Sequence, residues 1–247
     1  IPYNYRYVLT MTNATSCDYI RSPNGVIRRF DGQWNAGVLA QGSGIIYGVP
    51  ASENSLLMID AKRDSNGTLL NTLSTLEFFG NIRARGNKFS GAIIAPSTSL
   101  YFIPKYAPFV VELNPGTSTL RGSALPDTIV FPSDPTLDPI QPKAFGYDIT
   151  FSDGVELPNG NVVFVPSYNV SDPFAYDGKI LEVDPVNDTH YVHPSLIPFT
   201  HTPPFPSRSS VVLTSGNTAY VAWVPRAHPD QKALMRWDIS TRQLSSK

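Results

Sequence analysis

Few residues in this chain could do chemistry, and they are scattered. Asp148, Asp153 and Glu156 lie close together in sequence, and paired carboxylates are what a hydrolase uses as acid and base. The Asp153-Gly154 step also reads as a turn. His190 and His193, with His201 further on, would need further convergent ligands to hold a metal ion. The expectation for them, and for His228 near Asp230, is a solvated loop. No H-E-x-x-H, C-x-x-C, P-loop, EF-hand loop or G-x-G-x-x-G at a strand-to-helix turn occurs, and Gly42-Ser43-Gly44 lacks the spacing of a nucleophile elbow. The reading is of no catalytic residue, no cofactor, no metal, and a chain that is not an enzyme.

The elements that must position these residues read as strands. The chain has 247 residues with 23 Pro and 17 Gly, and no window of helical length keeps an apolar period of 3.6 free of both. Short apolar runs recur between turn signals instead, such as Ile45-Ile46-Tyr47, Leu56-Leu57-Met58-Ile59, Leu100-Tyr101-Phe102-Ile103 and Val110-Val111-Glu112-Leu113. One segment is written several times. Gly37 to Ala61 lies over Gly91 to Pro115, a third copy starts at Gly154 and resumes at Lys179 after an insertion, and a looser fourth runs from Val211 to Ile239. A Val/Ile-Pro pair marks each unit, at Val49-Pro50, Ile103-Pro104, Val165-Pro166 and Val224-Pro225, with Ile1-Pro2 in phase.

A repeat of about 50 residues holding several short strands fits one β-propeller blade; a β-sandwich with coincidental similarity is the competing reading. The fold class expected is all-β: a propeller of four-stranded antiparallel blades, with four to five blades seen. It forms a single domain over 1–247, in units of approximately 1–33 (partial), 34–87, 88–142, 143–206 and 207–247 (partial). The first unit should supply only two strands, Tyr5 to Thr12 and Gly25 to Phe30. A ring must hide its edges, so either missing chain or a neighbouring molecule is expected to complete it. Ser90-Gly91, Ala95-Pro96, Tyr101-Phe102-Ile103-Pro104 and Val183-Asp184-Pro185 resemble the repeats of extracellular β-propeller proteins, whose blades read S-G-G-V-L-A-P-N-G-K-I-Y-F-I-P followed by V-L-x-I-D-P. That resemblance covers most of the chain and implies blades without implying an activity.

Charge and compartment narrow the function. With 19 Lys+Arg against 20 Asp+Glu and no basic run longer than Arg28-Arg29, the chain is a poor phosphate-backbone binder, so no nucleic acid is expected. No stretch approaches the roughly 20 apolar residues that span a bilayer. The start at Ile1-Pro2, without an initiator Met or a signal peptide, leaves a processed start or a longer polypeptide open. Sequons occur at Asn13, Asn66, Asn169 and Asn187, and three of them, Asn13, Asn66 and Asn187, fall just after the third strand of their unit, on one face of a propeller; Asn and Thr also favour turns for their own reasons. Cys17 is a single thiol, either a buried small hydrophobe or an intermolecular bridge.

The opposite face would carry the long loops, Gly80 to Ser90, Phe131 to Tyr147 and His193 to Ser210, the last two rich in Pro and so stiff enough to dock a partner at low entropic cost. Tyr3, Tyr5, Tyr106, Tyr168 and Tyr176 fall there and could stack on a sugar or a partner. Trp34, Trp223 and Trp237 lie in or beside strands and are expected between blades. The leading reading is a secreted or cell-surface glycoprotein: a structural and interaction module of an extracellular coat, matrix or filament, with other protein subunits, self-association and attached N-glycans as partners. A carbohydrate-binding lectin is the alternative, and a propeller hydrolase or lactonase with a channel metal the third.

Overall fold

The computed structural model describes residues 7–13, 16–21, 33–40, 42–60, 72–77, 88–95, 97–105, 107, 109–125, 151–166, 180–193, 207–213, 218–225, 233–238, 240–241 and 243–246. These residues form strands and turns and, among them, no helix. A two-stranded sheet pairs β1 (Tyr7–Asn13) with β2 (Ser16–Arg21). Four sheets of four strands follow, each a meander of sequence neighbours. The first holds β3 (Trp34–Leu39), β4 (Ile45–Pro50), β5 (Ser55–Asp60) and β6 (Thr72–Glu77). The second holds β7 (Phe89–Ile94), β8 (Leu100–Pro104), β9 (Phe109–Asn114) and β10 (Thr119–Ala124). The third holds β11 (Phe151–Glu156), β12 (Val162–Pro166), β13 (Ile180–Asp184) and β14 (Thr189–His193). The fourth holds β15 (Ser207–Leu213), β16 (Thr218–Pro225), β17 (Ala233–Asp238) and β18 (Gln243–Ser246).

The chain forms two compact units, one of residues 1–102 with 112–121 and the other of 103–111 with 122–247. In the first, β7 packs against β3 and β4; in the second, β15 packs against β11 and β12. Within each compact unit, the later of these two sheets thus lays its first strand on the first two strands of the earlier one. Burial follows. The second and third strands are covered on both faces, so Leu100–Pro104 is buried throughout, and so are Val162–Val165 and Ile180–Val183, as the continuous apolar runs require. Outer strands alternate: β6 runs exposed, buried, exposed and β14 keeps only His193 buried.

Two turns repeat. The turn after the first strand closes by Ala40 N donating to Ile45 O, Ala95 N to Ser99 O and Leu157 N to Asn161 O. Its left-handed corner falls on Gly160 (φ 86°) in the third sheet and on Thr98 (φ 69°) in the second; glycine takes that conformation freely, whereas threonine is held there by the turn's hydrogen bonds. The turn after the third strand is an Asx turn. Asn114 Oδ1 accepts from Gly116 N and Thr117 N, Asp184 Oδ1 from Val186 N and Asn187 N, and Asp238 Oδ1 from Ser240 N and Thr241 N. This is the physical content of the D-P signature: a side chain stands in for the backbone acceptor of a tight turn.

The expected second strand of the first unit does not stand as read. β1 turns directly into β2 at Ser16–Arg21; the Gly25 to Phe30 segment lies outside the described residues.

Candidate functional site

Three groups of polar side chains are built into the sheets. In the first unit, Lys88 precedes β7 and is 1% exposed. Its Nζ donates to Ser52 O at 2.8 Å and Glu53 O at 2.9 Å, while Lys88 N donates to Ala51 O. Gln33, buried before β3, donates from Nε2 to Glu53 Oε1 at 2.7 Å, and its own carbonyl accepts from Ala51 N. Burial lowers the Lys88 ammonium to about 8, partly offset by the Glu53 charge. The cluster ties the loop after β4 to the starts of two first strands.

In the second unit, Glu182 on β13 is 2% exposed. Its Oε1 accepts from Asn161 Nδ2 at 2.6 Å and its Oε2 lies 2.7 Å from His193 Nε2. Cross-strand geometry puts them on one face: Glu182 stands opposite Val163 and Tyr191, and Asn161 and His193 are each two residues from those partners, the diagonal positions. The His193 ring meets Trp237 edge-on, centroids 5.3 Å apart. The second sheet has the simpler version: Ser99 Oγ donates to Glu112 Oε1 at 2.8 Å, and Arg121 Nη1 approaches Glu112 Oε2 at 3.9 Å.

The third group surrounds the turn between β13 and β14. Ser123 Oγ donates to Asp188 Oδ1 at 2.7 Å and lies 3.1 Å from His190 Nε2. These are the residue types of a hydrolytic triad in the wrong order. The hydroxyl has one proton and gives it to Asp188, so His190 faces it as a donor and cannot act as its base. Burial lowers the His190 pKa, with Asp188 acting against it.

Glu156 stands apart. It ends β11, its Oε2 is buried without a hydrogen-bond partner, and burial raises its pKa to about 7. A carboxyl titrating near neutrality can give or take a proton there. The pairing with Asp153 does not form: side chains alternate along a strand, so residues three apart on β11 face opposite ways, and Asp153 Oδ1 accepts from Gly154 N. Asp153-Gly154 is strand with a bulge, and not the turn expected. Because Glu156 is raised above its unfolded pKa, the folded chain binds more protons between about 4.5 and about 7. Stability from this group is therefore present at low pH and lost as pH rises through that window. Glu156→Gln is expected to flatten the slope of thermal stability between pH 5 and pH 7.5, read as Tm against pH beside the parent chain.

The other sequence candidates divide. Asn187 is exposed in the turn after β13 and Asn13 ends β1. Asn66, Asn169, Tyr3, Tyr5, Tyr106, Tyr168, Tyr176, Asp148, His201, His228, the Pro-rich loop of 131–147 and residues 194–206 of the second one lie outside the described residues, while Ser207 to Ser210, read as the end of that second loop, begin β15. His190 and His193 are on β14 and not in a solvated loop; His193 is buried because Glu182 and Trp237 receive it. Trp34 and Trp237 are buried as expected. Sequence reading missed Lys88, Glu182 and Asn161. The available signal was the shared register of Ser99 with Asn161 and of Glu112 with Glu182. Among the described residues no three His, Cys, Asp or Glu side chains gather as a metal site, and no helix is long and apolar enough to cross a membrane.

No protein-family model and no curated protein sequence matches the chain. Solved structures do. Virginiamycin B lyase from Staphylococcus aureus superposes with a TM-score of 0.57 at 11% identity, covering 98% of this chain and 62% of that one. A protein from Lactobacillus plantarum gives 0.60 at 12% identity, covering 98% and 62%. A protein from Bacteroides uniformis, provisionally assigned as a 6-phosphogluconolactonase, gives 0.54 at 13%, covering 95% and 59%. The chain thus spans less than two thirds of the length of each. Two of the three carry enzyme names, which overturns the expectation, drawn from the missing catalytic motifs, that this chain is not an enzyme: structures of the same fold include a lyase and a lactonase candidate. The resemblance to extracellular repeats holds at the level of the blade and no further. With its four-stranded sheets and these neighbours, the chain has a β-propeller fold.

Proposed function

We propose that this propeller is a secreted or cell-surface glycoprotein, working as one domain in an extracellular coat, matrix or filament, with N-glycans at Asn13, Asn66, Asn169 and Asn187 and with other protein subunits or further copies of itself as partners. The observation that carries the reading is the turn after β13, where Asn187 and Thr189 are both exposed at the tip of an outer hairpin. A glycan there projects from the exposed turn and away from the buried middle strands of the sheet. The Asx turns repeat this platform in the second and fourth sheets, with Thr117 and Thr241 in the place of Asn187.

The test is the intact and native mass of material from its natural source, before and after enzymatic removal of N-glycans. The expected result is a downward shift on deglycosylation and a native mass of several subunits. An unshifted monomer at the 27.1 kDa of the bare chain would overturn both the compartment and the assembly.

A further inference from the structure

All three residues of the Asn187 sequon are pinned by the fold. Asn187 Nδ2 donates to Asp184 Oδ2 at 2.8 Å, and its backbone N donates to Asp184 Oδ1 at 3.0 Å. Asp188 sits in the left-handed region at φ 51° and accepts from Ser123 Oγ, a side chain of β10 far away in sequence. Thr189 opens β14, paired with Asp184. Glycan transfer needs the same atoms free. Nδ2 attacks C1 of a sugar carried on a lipid pyrophosphate; the N–C1 bond forms, the C1–O bond breaks with its electron pair leaving on the pyrophosphate, and Nδ2 gives up one proton to a base of the transferase. The enzyme must also reach the hydroxyl of Thr189 across Asp188. A turn closed by Asp184 and clamped by Ser123 keeps Nδ2 in a hydrogen bond and fixes the backbone between it and the exposed Thr189, so the three residues cannot take up the extended arrangement of an acceptor without opening the turn.

We propose that Asn187 accepts its glycan only before the β13–β14 turn closes, so that the folded blade is refractory and occupancy at this site reports the order of modification and folding. The inference rests on the extracellular glycoprotein reading for its biological setting, while its chemistry depends only on the turn. A lone hairpin is marginally stable in water, so the turn stays accessible until β14, the last strand of its sheet, has paired with β13 and the sheet has folded around it. Once Asp184 and Ser123 engage, several hydrogen bonds must open together, which lowers the reactive population by about tenfold or more.

The experiment presents the full chain to detergent-solubilised oligosaccharyltransferase with its lipid-linked donor, either during cell-free synthesis or after synthesis and folding, and reads Asn187 by glycopeptide mass. Expected is modification during synthesis and at least about tenfold slower modification of the folded chain. Folded Ser123→Ala, which loses the clamp and keeps the Asx turn, should be modified faster than the folded parent. Asp184→Ala should be faster still if it folds, as checked by circular dichroism. Equal rates before and after folding would overturn the proposal, as would no modification of Asn187 in either presentation. Bare sequons at all four positions in natural material would instead sink the compartment reading, leaving the ratio of the two rates to stand or fall alone.

Discussion

Glu182→Ala is expected to destabilise the second unit by about 2–6 kcal/mol, the cost of leaving two buried polar partners unsatisfied at roughly 1–3 kcal/mol each. Among the described residues Glu182 is the partner of both Asn161 Nδ2 and His193 Nε2, and alanine leaves both of these buried groups facing a void. Glu182→Gln has nearly the same shape and can be accommodated. Its carbonyl accepts from one neighbour, and its amide donates to the other if the Asn161 side chain turns over or the His193 tautomer moves its proton to Nδ1. The expected cost is then about 1 kcal/mol, one hydrogen bond traded for a weaker one. Urea unfolding followed by Trp emission measures both, because Trp237 lies against the His193 ring. The midpoint should fall in the order parent, Gln, Ala at constant m. Equal midpoints for Ala and Gln would mean that the carboxylate contributes packing and no hydrogen bonding.

That network shows where sequence reading stops. The pattern Ile180-Leu181-Glu182-Val183 is legible as a buried strand, and the structure buries all four residues. A charge in such a run states that a partner exists without saying which one, since the partner is fixed by register between strands and not by spacing along the chain. His193 is two residues off the Glu182–Tyr191 pair, and Asn161 two residues off the Val163–Glu182 pair. Neither follows from sequence until both ladders are known. The sequons, by contrast, are read from three adjacent residues and survive any error in topology.

The blade itself was legible for the same local reason. The Val/Ile-Pro pair ends β4, β8, β12 and β16, where a missing N–H costs little, and the Asx residue ends β5, β9, β13 and β17. The first strand is where the repeat misleads. Setting Gly37 over Gly91 aligns Val38 with Ala92, yet the closing bond of the following turn spans Ala40 to Ile45 in the first sheet and Ala95 to Ser99 in the second. The first sheet carries one extra turn residue, so Trp34, Phe89 and Phe151 correspond, and Val38 matches Ile93. A slip of one residue exchanges the faces of a strand, so the alignment of Gly37 over Gly91 sets the first strand of the second sheet on the wrong face.

With that register corrected, a size exchange appears in the core. Phe89 meets Phe102 at 5.6 Å and Phe151 meets Phe164 at 6.0 Å, both tilted. The corresponding pair in the first sheet is Trp34 and Gly48, and a Cβ on Gly48 would stand 3.2 Å from the Trp34 ring and 2.9 Å from Leu57 Cβ. The larger ring occupies the space that the second phenylalanine fills elsewhere. Trp34 also donates from Nε1 to Ser55 O at 3.2 Å and packs with Leu57, Ile59 and Leu73. Trp34→Ala is therefore expected to cost about 3–5 kcal/mol through a cavity on that cluster, and Gly48→Ala about 1–3 kcal/mol by overpacking. The two contacts of the new methyl group can be separated. Trp34→Phe together with Gly48→Ala, a step toward the pairs of the other sheets, should cost less than the sum of its parts by about 1 kcal/mol, because a smaller ring gives way to the methyl group. Urea unfolding of the four members of the cycle measures this coupling. Strict additivity would assign the whole penalty to Leu57 Cβ, which is tied to the backbone of the neighbouring strand and cannot move aside, and would mean that the spacing of β4 and β5, more than the tryptophan, demands glycine at position 48.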